Sequence, residues 1–223
     1  MAALTALLPV VLANNQTTSS IATNSQSTTA ENNAPSSFIE FNGSDQYMMI
    51  PHHADFNITT TESFTVSCWV KRNVLEADTR FVVKRVKNNA TIKSGYELWG
   101  NGISSQFFAV NSPNNTGDHN NSVSVYSNIP GYAGEWHHIA FVIDRTAGIM
   151  YEYHNGTAVA NSGIKPIAPW ECTNTYDVLV GAGFSEEDTP NYFLNGAIGG
   201  LHFYKRALSA EEITCLLYTS PSP

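Results

Sequence analysis

The chain predicts an all-β fold, a two-sheet antiparallel β-sandwich of the jelly-roll type, on three observations. Short runs with strand-like alternation recur from Phe38 to Arg206, clusters of turn residues separate them, and helical periodicity is absent until the extreme C-terminal end. Many short antiparallel strands bury their apolar faces most readily as two sheets packed on one another.

The elements follow in order. FIEFN and QYMMI are joined by Gly43-Ser44-Asp45, a turn composition. SFTVSCWVKR alternates, so Phe64, Val66, Cys68 and Val70 share one face, and Thr65, Ser67 and Trp69 the other. TRFVVKR, GYELWG, SQFFAV, SVSVYS and WHHIAFVID come next at intervals typical of meanders and Greek keys. GIMYEYHNGTAVAN holds two runs around Asn155-Gly156, a pair that tolerates the positive φ of a type I′ hairpin turn. DVLVGAG and AIGGLHFYKR complete about ten strands. Ser209, with Glu212 three residues on, is a capping box that starts a short helical turn.

Composition narrows the function. A chain of 223 residues with 42% hydrophobic content can bury one sizeable core. Lys and Arg total 11 against 19 Asp and Glu, a formal charge of −8, which repels a phosphate backbone and argues against a nucleic-acid partner. Two histidine pairs, His52-His53 and His137-His138, invite a metal or catalytic reading in a chain of 7 histidines. Alternation opposes it, because adjacent strand residues point to opposite faces and cannot chelate one ion together. His137 groups with Ile139, Phe141 and Ile143, and His138 with Trp136, Ala140 and Val142; His138 is expected as a hydrogen-bonded packing residue beside Trp136.

The ends read differently from the middle. Residues 1–13 contain ALTALLPVVLA, too short to span a bilayer and ending with Val11 and Ala13 at the spacing a signal peptidase accepts, although no basic residue precedes it. Residues 14–36 are almost wholly Asn, Gln, Ser and Thr and read as a flexible linker. With 13% charged residues and abundant Asn, Ser and Thr the composition suits a secreted or cell-surface chain; sequons begin at Asn15, Asn42, Asn57, Asn89, Asn114, Asn120 and Asn155, most of them expected by chance in so Asn-rich a sequence. Residues 37–214 form the domain. Cys68 and Cys172 are either one disulfide or buried thiols, and the sequence leaves both open.

Four stretches in order, FNGSDQYMMIP, SFTVSCWVKR, GEWHHIAFVID with its YEYHNGTAVA hairpin, and FLNGAIGGLHFYKRALSAEEI, resemble the laminin-G-like, concanavalin A-like lectin/glucanase jelly-roll domains of secreted proteins. The resemblance implies a structural calcium ion near the first hairpin, with Asp45 as one ligand. It also implies a second acid in the last strand, where this chain instead has Ile198-Gly199-Gly200, so only a weak calcium site is expected. Enzymes of similar architecture carry a Glu-x-Asp-x-x-Glu strand, and this chain has none; Glu76-Ala77-Asp78 and Glu186-Glu187-Asp188 read as solvated loop acids. Residues 215–223, CLLYTSPSP, resemble a translated sequencing adapter and are expected to be non-native; the alternative is that Leu216 and Leu217 continue the helix of Ile213.

These readings converge on a non-catalytic extracellular recognition module for carbohydrate or a surface protein. Trp99, Tyr132 and Trp170, in or beside loops, are the candidate rings for stacking on a sugar, with core or rim packing as the alternative reading of each. An accessory domain of a larger secreted glycan-active enzyme and a structural spacer of a surface adhesin are the alternatives.

Overall fold

A computed structural model describes residues 21–23, 35, 37–75, 78–85, 93–102, 104–112, 122–128, 133–159, 172–184 and 189–218. The expected signal segment, most of the linker, Glu76, Tyr132, Trp170, the Glu186–Asp188 acids and residues 219–223 lie outside them.

The strands are β1 (Ile21–Thr23), β2 (Ser37–Asn42), β3 (Met48–Ile50), β4 (Phe64–Arg72), β5 (Thr79–Arg85), β6 (Lys93–Asn101), β7 (Ser104–Ser112), β8 (Ser122–Asn128), β9 (Trp136–Asp144), β10 (Ile149–His154), β11 (Thr157–Ala158), β12 (Val178–Val180), β13 (Gly183–Phe184), β14 (Pro190–Asn191) and β15 (Asn195–Tyr204). One helix, α1 (Ala210–Leu216), follows them. A seven-stranded sheet runs β1-β2-β15-β4-β9-β10-β11 and a six-stranded sheet runs β3-β12-β5-β6-β7-β8, with β13 and β14 paired apart. All described pairings are antiparallel, so the predicted sandwich is what the chain builds.

The core lies between the sheets, and alternation decides who enters it. From β4 come Phe64, Val66, Cys68 and Val70, from β9 Ile139, Phe141 and Ile143, from β10 Met150, and from the opposing sheet Val82, Tyr96, Leu98, Val125 and Val180. The outer face of the seven-stranded sheet has a smaller cluster, Ala140, Val142 and Tyr153, covered by Leu208 and Ile213. Ile213 of helix α1 and Leu208 just before it supply that cover. Ser209 accepts from the Glu212 N–H, and the Glu212 carboxylate accepts from the Ser209 N–H, which is the expected capping box.

The hairpin also forms as read. Asn155 and Gly156 both have positive φ, 47° and 78°. The Asn155 side chain accepts from the His138 N–H at 2.8 Å while its own N–H donates to the His138 carbonyl at 2.8 Å, tying the turn to β9.

Four details differ from or refine the sequence reading. Ile21–Thr23, inside the segment assigned to a linker, pairs with Ser37–Ile39, because an edge ladder needs only backbone groups. Cys68 and Cys172 are both buried thiols, not halves of a disulfide. Helix α1 includes Cys215 and Leu216, and Leu217 is buried beyond it with a methyl close over Gly156; Ile213, Leu216 and Leu217 keep the i, i+3, i+4 phase of a helix face. His138 packs on Trp69, ring centroids 5.3 Å apart, instead of on Trp136. Trp69 is its cross-strand partner, whereas Trp136 turns to Phe38 and Lys71.

Candidate functional site

The six residues that stand out chemically lie where polar side chains continue the inward phase of apolar strands. On β4 the series Val66, Cys68, Val70 ends in Arg72, which is 9% exposed. On β9 the series Ile143, Phe141, Ile139 ends in His137, and on β10 Met150 is followed by Glu152 and then His154. Across the gap, β7 and β8 present Ser105 and Ser127, cross-strand partners and both buried.

Among the described residues two sets of these groups are bonded, Ser105 and Ser127 with Glu152, and His137 with His154. Ser105 and Ser127 both donate their hydroxyls to Oε1 of Glu152, the latter at 2.8 Å, so the two sheets are bridged by one carboxyl group. Nδ1 of His137 and Nε2 of His154 are 2.9 Å apart, so one ring must donate to the other. Arg72 reaches the opposite sheet beside Gly100, where a Cβ would lie 2.8 Å from Nη1; glycine leaves room for the guanidinium. Three polar atoms here are buried and have no hydrogen-bond partner among the described residues: Nη1 of Arg72, Nε2 of His137 and Oε2 of Glu152.

Burial sets the charges. It pushes the Glu152 carboxyl up to about 7, against the opposing effect of the two serine hydroxyls. It pulls His154 down to about 4, with help from His137, and lowers His137 as well. His138, on the outer face, is also drawn down to about 4 by burial. The inward cluster therefore carries a guanidinium, a neutral imidazole pair and a carboxyl at the edge of ionisation.

A sign follows for stability. Glu152 ionises at about 7 in the folded chain and near 4.5 unfolded, so its contribution is full below pH 4.5 and is lost as pH rises through 7. Glu152→Gln should match the wild type near pH 4.5 and exceed it by about 3 kcal/mol above pH 8. Urea unfolding of both chains across that range checks this; a difference that does not grow with pH contradicts a protonated Glu152. Comparing the two chains removes the opposite slope of His138 and His154, which lose stability as pH falls from 6.5 through 4.

The residues singled out from sequence sit elsewhere. Trp99 is half-buried on the outer face of the six-stranded sheet, with the Arg80 guanidinium 4.8 Å over its ring; Arg80 also lies 4.5 Å over Tyr192. Arg80 and Arg85 share Glu97, at 3.2 and 2.8 Å. One aromatic face of Trp99 is thus occupied by its own sheet, and the described residues do not bring it together with Tyr132 or Trp170.

Asp45 is exposed in the β2–β3 turn, where Oδ1 accepts from the Asn42 side chain at 2.7 Å, and Asn42 in turn accepts from the N–H groups of Ser44, Asp45 and Gln46. Gly199 pairs with Phe38, well along the ladder from Asn42, and a Cβ there would meet Pro35 and the Ser37 carbonyl. Among the described residues no three His, Cys, Asp or Glu side chains are grouped to hold a metal. Asp45 is the one carboxylate of this turn and is already hydrogen-bonded to Asn42, so a weak calcium site here would draw its other donors from backbone carbonyls and water.

His52 and His53 take separate structural roles. Nδ1 of His53 accepts from the Asp55 N–H at 3.3 Å, and Nδ1 of His52 meets the buried Lys84 ammonium at 3.2 Å.

Comparison with known proteins agrees with the architecture. Residues 42–214 match the family model described as the concanavalin A-like lectin/glucanases superfamily. No curated protein sequence matches the chain significantly. Among solved structures, the binding domain of botulinum neurotoxin serotype G is similar at 16% identity and a TM-score of 0.58, covering 84% of this chain and 44% of that one. The receptor binding domain of botulinum neurotoxin D is similar at 14% identity and a TM-score of 0.61, covering 94% and 47%. The binding domain of Paraclostridial Mosquitocidal Protein 1 is similar at 16% identity and a TM-score of 0.58, covering 82% and 43%. The chain spans less than half the length of each of these structures.

Proposed function

The chain belongs to the concanavalin A-like lectin/glucanases superfamily, and from that premise we propose that it is a non-catalytic extracellular recognition module that binds carbohydrate. The observation that carries this reading is the make-up of the inward polar cluster. Among the described residues it holds one carboxyl, Glu152, already shared by two serine hydroxyls, where glycoside hydrolysis needs two acids flanking a bond. Guanidinium, imidazole, hydroxyl and carboxyl groups are the kinds of group that read sugar hydroxyls without changing a bond.

The matched toxin structures are titled binding or receptor-binding domains, which supports recognition over catalysis. A surface protein as ligand and an accessory or spacer role within a larger secreted protein are the competing readings. No helix among the described residues is long and apolar enough to cross a membrane. Trp99 enters the proposal as an outer-face stacking ring, held in orientation by Arg80.

Glycan-array binding by the whole chain tests the reading. Binding without release of product is expected, and Trp99→Ala should weaken it roughly tenfold if the indole stacks on the sugar. Binding to no glycan, or cleavage of one, would sink the proposal.

A further inference from the structure

On the side of the sandwich where β8 borders one sheet and β10 stands next to the border of the other, a single carboxyl group spans the gap. β8 and β10 bring Cα atoms within 8 Å of each other there, closer than the ~10 Å usual between packed sheets. Glu152 of β10 accepts from Ser127 of β8 at 2.8 Å and from Ser105 of β7, both on Oε1. Its other oxygen, Oε2, is buried and has no hydrogen-bond partner among the described residues. In the neutral acid that oxygen carries the proton; in the anion it is part of a buried charge that no cation answers.

The two sides of this bridge are unequally anchored. β10 pairs with β9 over Ile149–His154 and with β11 beyond, and its turn is tied to β9 through Asn155. β8 has β7 on one side and, among the described residues, no strand on the other, so β8 is the side that gives way. Of the neighbouring titratable groups, His154 stands two residues on along β10 and is bonded to His137 of β9, which lies near enough to Arg72 of β4 to feel its charge. His138 and Asp144 of β9, and Tyr151 and Tyr153 of β10, belong to the opposite phase. β7, β8 and β11 contain no Asp, Glu, His, Lys or Arg, and their titratable residue is Tyr126.

We infer that the Ser105–Glu152–Ser127 bridge is a pH-sensitive latch on the edge strand β8, closed while Glu152 is protonated and released from β10 when it ionises. Burial holds the proton on, with both serine hydroxyls opposing and no neighbouring charge involved. Glu152 ionises at about 7 in the closed form and near 4.5 once water reaches it, so the opening constant climbs from pH 4.5 and levels off above 7.

A thiol on the inward side of β8 tests this. Val125 is fully buried and two residues from Ser127; in Val125→Cys, alkylation by iodoacetamide is followed peptide by peptide by mass spectrometry from pH 5.5 to 8.5. Exposed Cys215 supplies the intrinsic pH dependence of alkylation, and buried Cys68 of β4 reports on the rest of the core. Relative to Cys215, labelling at position 125 is expected to rise about thirtyfold over that range and to level off above pH 7, with Cys68 not following. Adding Glu152→Gln should abolish the rise. Ser127→Ala, which removes a donor that favours the carboxylate, should move the levelling-off to higher pH. In the unsubstituted chain the Val125 methyl NMR signals should shift as Glu152 ionises near pH 7. A flat profile at position 125, unmoved methyl signals, or a rise that survives Glu152→Gln overturns the latch. A rise shared equally by Cys68 means that the whole fold loosens, and overturns the local opening.

Discussion

Replacing Lys84 with methionine is expected to destabilise the fold by about 3 kcal/mol, seen as a lower urea midpoint with an unchanged slope. Lys84 is fully buried, 0% exposed, and its ammonium donates to Oδ1 of Asn174 at 2.7 Å, the Tyr176 carbonyl at 2.8 Å and the Asn174 carbonyl at 3.3 Å. It also meets Nδ1 of His52 at 3.2 Å. One cation on β5 thus secures both the residues after β3 and the segment leading into β12. Methionine fills the volume but leaves those acceptors buried and unanswered, which is why the cost exceeds that of an ordinary lost hydrogen bond.

The pH profile of the same pair separates charge from packing. Burial draws the Lys84 ammonium down to about 8, from an ordinary 10.5, with Asp177 opposing. Below pH 8 both folded and unfolded chains hold the proton; between 8 and 10.5 only the unfolded chain does, so folded-state stability rises with pH there. The wild type should therefore widen its advantage over Lys84→Met across that window. A constant difference would mean that the ammonium is not the strained party.

The second large effect is expected at Gly95, opposite Arg85 in the β5–β6 ladder. Its φ is +139°, and a Cβ would lie 2.1 Å from the Lys84 carbonyl oxygen and 2.5 Å from the Arg85 Cα. Both obstacles are backbone, so the strands themselves must part. Gly95→Ala should cost more than about 4 kcal/mol and lower the melting temperature accordingly. Gly148→Ala is the control: φ is +67° but nothing stands within 4 Å, so only the left-handed backbone term of about 1 kcal/mol remains. Equal losses at the two positions would refute the steric argument.

Much of this fold was legible in the sequence because its signals are local. Alternation in β4 and β9 sorted core from outer face correctly, and Asn155-Gly156 and Ser209-Glu212 announced their turn and cap. The two-residue strands β13 and β14 carry no period and were not foreseeable from pattern. Lys84 escaped for a different reason. A register shift between Arg80 and Val82 puts both Phe81 and Val82 in the core, so counting by twos along TRFVVKR loses the phase before it reaches Lys84.

The candidate site was half visible. Extending the β4 phase by one step puts Arg72 inside, and the β9 phase puts His137 there, so a polar residue continuing an apolar series was the available signal. Nothing local tells that Glu152 meets serines of β7 and β8, since that contact exists only once two sheets face each other. Aromatic side chains near loops drew attention instead, and Trp99 proved to be partly engaged by Arg80.

The strand order has a consequence for how copies of this protein meet. An outermost strand exposes unpaired backbone groups that can template pairing with another chain. The seven-stranded sheet ends in β1 and β11, of 3 and 2 residues, and the six-stranded sheet begins with β3, of 3 residues. Each offers too little length for a stable ladder. The remaining border is β8, 7 residues whose sequence SVSVYSN alternates serine with larger side chains. Among the described residues, the edge long enough to template a strand-to-strand ladder is therefore Ser122–Asn128, the strand that itself supplies Ser127.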